Sequence, residues 1–288
     1  MTPIPVDENK VVLFVDMLGF ASLTEEHALD LDCIKVSDRP FSSGLDMILR
    51  SQENPLTRAF TSFHRSIKSA IDLAQFAHPL TAITFSDSAF IATAHLFEAA
   101  NVAAGLIQTL LPQHIPVRMG IAHGSFAAVR FRSDVTSDGG DHAAHFLGTA
   151  VVRSHAAETC GMKGLRLLLH PSAASLLNDP VHNPQCKHRH RVRYVECSAE
   201  ERENKVGVRY ELDYWRFRPT AEGKAWHAFQ AMWDAAPQFA LNHYQATAEA
   251  INRMRVRQGE APLTNLRRRR LPRNAVRSSS HRNRERAV

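Results

Sequence analysis

Val11-Val12-Leu13-Phe14-Val15-Asp16-Met17-Leu18-Gly19-Phe20 is an unbroken apolar run that stops at an aspartate and then at a glycine. A second stretch, Ile83-Thr84-Phe85-Ser86-Asp87-Ser88-Ala89-Phe90, places another aspartate after another apolar arm. Continuous apolar runs of this length read as strands covered on both faces. A charge next to such a strand is costly unless something pairs with it. Two of them meeting at the edge of one sheet would offer hard oxygen ligands to a divalent cation such as Mg²⁺ or Mn²⁺, and cations of that kind handle phosphates. The plainer reading is that each aspartate caps a turn, which leaves unexplained why both follow buried strands.

Outward from these two stretches the pattern alternates. Gly19 gives a tight departure into a short helix over 22–28. An amphipathic helix is predicted from Ser51 to Phe76, with Leu56, Phe60, Phe63, Ile67 and Ile71 at near-helical spacing. Ile83–Phe85 and Ala89–Ala92 form a hairpin around Ser86-Asp87-Ser88. A helix over Leu96–Leu111 is stopped by Pro112. Val117–Ala122 reads as a strand that Gly124 turns, with Ser125–Phe131 returning. Gly148–Cys160 is helical and Leu165–Leu169 a strand. A polar hairpin over 188–217 and helices over 221–235 and 239–256 follow. The order suits an α+β fold, a ferredoxin-like core with an antiparallel-rich sheet and helices on one face. Three units are expected: a core over 1–180, a C-terminal hairpin with helices over 181–264, and an arginine-rich tail over 265–288.

Composition is that of globular material, 44% hydrophobic and 22% charged in 288 residues. No apolar stretch approaches the roughly 20 residues that span a bilayer, and the first residues lack the charged and apolar regions of a secretory signal. Cys33, Cys160, Cys186 and Cys197 have no CxxC spacing and read as reduced cytoplasmic thiols. Cys186 stands in the His-rich Cys-Lys-His-Arg-His-Arg, a candidate zinc site without a second ligand pair. The net charge is uneven. Nine arginines and one glutamate put +8 on residues 265–288, which leaves −2 of the total +6 for residues 1–264. Such a tail could stay solvated or touch nucleic acid, anionic lipid or an acidic partner. No helix-turn-helix or aromatic-basic interleaving supports a nucleic-acid-binding protein.

Four segments in order resemble the class III nucleotide cyclase catalytic domain: Phe14-Val15-Asp16-Met17-Leu18-Gly19-Phe20, Phe85-Ser86-Asp87-Ser88, Arg118-Met119-Gly120-Ile121-Ala122-His123-Gly124, and Phe146-Leu147-Gly148-Thr149-Ala150-Val151. They span roughly residues 10–172. The departures from the family are informative. Where purine cyclases carry a base-reading lysine and aspartate this chain has Ile83 and His145. Val152 stands in place of the ribose-orienting asparagine, and Ala156 in place of the transition-state arginine. Unmatched base edges are penalised, so a purine substrate is disfavoured. Ser86-Asp87-Ser88 together with Gly148, Ala150 and Glu158 is similar instead to the bacterial pyrimidine cyclases of the Pycsar antiphage systems.

That resemblance implies conversion of UTP or CTP to a 3′,5′-cyclic nucleotide and pyrophosphate, an antiviral second messenger read by a separate cyclic-nucleotide-binding effector. It implies a cytoplasmic homodimer with sites at the interface and two Mn²⁺ or Mg²⁺ ions per site. Asp16 and Asp87 would bridge the metals, with the Met17 carbonyl completing one shell. Leu18, Gly19 and Phe20 would offer N–H groups to the triphosphate. Ile83 and His145 would form the base pocket. Arg153 lies one helical turn before Ala156 and could replace the lost arginine at the developing oxyanion; equally it could pair with Glu158. Arg118 is expected to support the fold, and His123 to sit at a hairpin end. Two alternatives remain: a divergent adenylate or guanylate cyclase, and a catalytically silent cyclase-like nucleotide-binding dimer.

Overall fold

Strand β1 (Asp7–Met17) runs through the middle of the sheet and is followed by helix α1 (Phe20–Glu26). The computed structural model describes residues 7–28, 54–74, 80–132, 142–184, 192–215 and 222–263. Helix α2 (Pro55–Ala74), strands β2 (Thr81–Thr84) and β3 (Ser88–Thr93), helix α3 (Leu96–Leu110) and strand β4 (Val117–Arg132) come next. These strands lie in the order β2-β3-β1-β4 with every pair antiparallel. A β-α-β-β-α-β chain in that order is the expected ferredoxin-like core.

The alternation of β1 sorts the molecule into two faces. Val11, Leu13 and Val15 point to one side, where Phe63 and Ile67 of α2 and Leu96, Leu106 and Leu110 of α3 close over them, all essentially without solvent exposure. Val12, Phe14 and Asp16 point to the other. Helix α4 (Thr149–Glu158) crosses that second face, with the rings of Phe14 and His155 5.2 Å apart. The two long helices thus share one face as expected, and α4 takes the opposite one. Gly120 of β4 makes this possible, because a Cβ there would stand 2.0 Å from the Ser154 carbonyl oxygen.

One expectation is corrected. Gly124 does not turn the chain: Val117–Arg132 is a single sixteen-residue strand. Its first half pairs with β1, and its second half with strand β5 (His142–Leu147). The glycine is required by close approach, since a Cβ would meet Thr149 Oγ1 at 2.4 Å and Arg153 Nη1 at 3.1 Å. His123 therefore sits within a strand rather than at a hairpin end.

Beyond the core, β6 (Leu167–Leu169) pairs parallel to β4, and the short helix α5 (Pro171–Ala174) follows. Strands β7 (Tyr194–Glu196) and β8 (Tyr210–Leu212) extend the same sheet at its end, as an antiparallel pair. Helices α6 (Glu222–Ala235) and α7 (Leu241–Arg257) complete the described chain. Trp215 and Trp233 are buried, and a chain of ring contacts runs from Trp215 through Trp226 and Phe229 to Trp233. Residues 265–288, and the Cys186, His188 and His190 of the candidate zinc stretch, lie outside the described residues. No described helix is long and apolar enough to cross a membrane.

Candidate active site

The site is assembled where β1 ends. Leu18 donates its N–H to the Pro116 carbonyl (2.9 Å), and Met17 donates its own to the Asp87 carbonyl (2.9 Å). The second bond ties the Ser86–Ser88 turn directly to the strand that carries Asp16. By alternation the Met17 carbonyl also faces that turn, and among the described residues it accepts no hydrogen bond. Gly19 then adopts the left-handed conformation (φ 80°) that glycine permits, and α1 begins. The first N–H groups of a helix have no intrahelical acceptor. Because the Leu18 N–H is taken by Pro116, the open donors of the expected phosphate turn fall to Gly19 and Phe20.

Asp16 projects from the α4 face. It lies opposite Ser88 on one side and Arg118 on the other. Its carboxylate is half-buried and no described residue donates a hydrogen bond to it. Burial, then the charges of Glu158 and Asp87, push its pKa up to about 7, and Arg118 opposes them only in part. Asp87 is partly exposed and accepts a hydrogen bond from the Ser86 hydroxyl (3.0 Å).

Nothing in the sequence marks what stands behind Asp16. Arg118 and Glu158 form a nearly buried ion pair, with Nε and Nη2 each 2.5 Å from Glu158 Oε1, and Arg118 Nη1 also donates to the Met162 carbonyl (3.2 Å). A pairing of Glu158 with Arg153 is one of the alternatives the sequence leaves open; the observed partner is Arg118. Only the placement of Arg118 as the second residue of the largely apolar stretch Val117–Ala122 hints at a buried partner. Arg153 instead donates from Nη1 to the His123 carbonyl (3.1 Å). His123 pairs with Val11, five positions from Asp16 along β1, or roughly 17 Å at strand rise. Arg153 and Asp16 are therefore not neighbours within one chain.

Ile83 is half-buried on edge strand β2, opposite Phe90. Phe90 stacks on Phe14 at 4.5 Å, so Ile83, Phe90, Phe14 and Asp16 share a face. His145 lies in β5 opposite Val129; its side chain falls outside the described residues. The structure brings together Asp16, Asp87, the Met17 carbonyl and the Gly19 turn, places Ile83 on the same face, and sets Arg153 apart.

Chemically, the end of β1 presents oxygen donors without enough positive charge to satisfy them. A half-buried carboxylate with no hydrogen bond and a depressed acidity fits a bound cation, whose charge would reverse that shift. Among the described residues no group of three or more His, Cys, Asp or Glu side chains is arranged to hold a metal. Two carboxylates and a carbonyl suit an ion that keeps waters or takes substrate phosphates for its remaining positions, as Mg²⁺ does.

No protein-family model matches this chain, and no curated protein matches it. Solved structures similar to it include the adenylyl cyclase CyaB from P. aeruginosa, 15% identical over 71% of this chain and 93% of that one, at a TM-score of 0.44. The guanylate cyclase domain of RhGC from Catenaria anguillulae in complex with GTP is 14% identical over 71% and 96%, also at 0.44. The guanylyl cyclase domain of the RhoGC fusion protein from Blastocladiella emersonii is 13% identical over 73% and 97%, at 0.47. These superpositions are partial. The fold stands on its own strand order, and the chemistry on the charge at the end of β1.

Proposed function

We propose that this chain is a nucleotide cyclase that closes the ribose 3′-oxygen onto the α-phosphorus of its own triphosphate and releases pyrophosphate. The observation that carries the reading is Asp16, a half-buried carboxylate beside Asp87 to which no described residue donates a hydrogen bond. Mn²⁺ or Mg²⁺ held by Asp16, Asp87 and the Met17 carbonyl would supply the charge that activates the hydroxyl and neutralises the leaving phosphates. The chain's own contribution is positioning. The Met17–Asp87 backbone bond fixes the spacing of the two aspartates. The Gly19 and Phe20 N–H groups face the place where a triphosphate would follow. The Arg118–Glu158 pair holds α4 against β4, and the Glu158 charge, opposed in part by Arg118, adds to the negative field at Asp16.

The substrate is proposed to be UTP or CTP. Ile83 offers an apolar, partly buried surface where a base-reading lysine would otherwise stand, which suits a ring with fewer edges to satisfy. A homodimer with sites at the interface, and an antiviral signalling role through a separate effector, belong to the same proposal. Support for the dimer comes from Phe85, Leu147 and Val152, which are 51%, 58% and 69% exposed. Arg153 would then act on a nucleotide bound by the partner copy.

Incubation of the purified chain with ATP, GTP, CTP and UTP separately in Mn²⁺, with mass spectrometry of the products, tests the reading. A cyclic pyrimidine is expected, reduced roughly 10⁴-fold or more in Asp16→Ala and Asp87→Ala. A cyclic purine would keep the reaction and overturn the base pocket. No product from any nucleotide would overturn the proposal in favour of a silent nucleotide-binding dimer.

A further inference from the structure

Among the described residues strand β7 is the last of the sheet and pairs only with β8. Cys197 donates its N–H to the Arg209 carbonyl and Asp213 donates its N–H to the Arg193 carbonyl, both at 2.9 Å. Residues 193, 195 and 197 therefore bond inward. By alternation the main-chain groups of Tyr194 and Glu196 face away from β8, and no described residue bonds to them. Such an edge is a template for another extended chain.

Beside it lies an open cleft of about 740 Å³. Tyr194 and Glu196 line it from the strand, and Glu249, Asn252, Arg253 and Val256 from α7. Those four share one helical face by their spacing. Arg253 is already committed, donating to Glu201 (3.0 Å) and Glu211 (3.1 Å). Glu196, Glu249 and Val256 are exposed, the last at 59%, and Arg257 also borders the cleft. Glu196 accepts from the exposed Arg202 (3.3 Å) and Glu249 from Gln245 (2.7 Å), each through one carboxylate oxygen.

The chain's own continuation leads to this cleft. Beyond α7, Leu263 donates its N–H to Asn252 Oδ1 (2.7 Å), and Asn252 Nδ2 donates to the Leu263 carbonyl (3.3 Å). One cleft-lining amide thus holds both main-chain groups of Leu263 as a neighbouring strand would. The sequence continues Thr264-Asn265-Leu266-Arg267-Arg268-Arg269-Arg270. A leucine suits the Val256 and tyrosine surface, and arginines suit Glu196 and Glu249. Tethering at the rim gives the segment an effective concentration on the order of millimolar.

We propose that the residues directly after Leu263 occupy this cleft, adding to the β7 edge through the main chain of Tyr194 and Glu196. This is strand addition in cis, with specificity from Leu266 and the arginine run. It does not depend on the reaction proposed above.

Amide hydrogen exchange read residue by residue on the full chain tests it. The Tyr194 and Glu196 amides are expected to exchange roughly tenfold or more slowly in the native chain than in the full-length R267S/R268S/R269S/R270S variant. The Val195 amide, bonded to β8, should be unaffected and reports intact folding. Should Val195 also lose protection, the exposed-site variant Glu249→Arg makes the same comparison and is expected to show the same selective loss. Equal exchange at Tyr194 and Glu196 in native and variant chains would overturn the proposal. Protection that rises with chain concentration would also overturn it, because the occupant would then belong to a second copy.

Discussion

At the scale of single residues, Gly120 is the position on which the site's second face depends. It lies opposite Phe14 in the pairing of β1 with β4. A Cβ there would meet the Ser154 carbonyl oxygen at 2.0 Å and the Glu158 N at 2.7 Å, both main-chain atoms of α4. Neither can yield without moving the helix that carries Glu158 and Arg153. Gly120→Ala is therefore expected to cost about 1–3 kcal/mol or more, read as a lowered thermal midpoint; an unchanged midpoint would mean that α4 shifts freely. The residue scale also shows what a sequence can reveal. Asp16 and Asp87 are legible because a charge at the end of an apolar run is a local contradiction. The pair behind them is not, since Arg118 and Glu158 are forty positions apart and nothing local marks either as the other's partner. The orientation of Arg153 is likewise set by where Gly124 lets α4 begin, which no spacing rule contains.

At the scale of elements, periodicity served well wherever one face is apolar and one polar. It found α2 and α3 to within a few residues, and the β2–β3 hairpin. It fails in β4, where Gly124 looks like a turn residue yet makes room for α4. It was also silent about what joins the C-terminal strands and helix α7 to the core. That junction combines apolar packing, with Leu212, Ile251 and Met254 in the main core cluster, and a buried ionic network. Arg166, fully buried at the start of β6, bonds to Glu211 of β8 and to Glu201 (2.7 Å), and Arg253 of α7 reaches both glutamates. Burial alone would raise the pKa of Glu201, but hydrogen bonding and charge from Arg166, the Ser198 N–H and Arg253 bring it down to about 2. A carboxyl depressed in the folded state contributes stability that is fully present above its ordinary value near 4.5, and that is lost as pH falls through the folded value. The urea midpoint is accordingly expected to decline between about pH 5 and pH 2 in the native chain. Glu201→Gln should start lower and lose less over the same interval. Identical slopes in the two chains would remove Glu201 as the cause.

At the scale of the whole molecule, the question is whether one chain contains a complete site. Asp16 and Arg153 project from the same side of the sheet, yet Arg153 is held by the His123 carbonyl, about 17 Å from Asp16 along the strand direction. Among the described residues Phe85, Leu147 and Val152 stay exposed. A two-fold dimer applies the same patch twice, so it could cover both copies of this surface and carry Arg153 of each to the nucleotide of the other. This arrangement makes a quantitative prediction. Asp16→Ala and Arg153→Ala chains, each nearly inactive alone, would each lack one half of every site. Unfolded together at equal concentration and refolded, half of the dimers would be mixed. Each mixed dimer would hold one intact site, restoring about a quarter of native activity. Recovery near that level, lost again when the two variants are combined in one chain, would place Arg153 across the interface. Absence of recovery alongside a normal dimer population would confine the chemistry to a single copy and leave Arg153 as the strut between α4 and β4 that its bond to His123 already makes it.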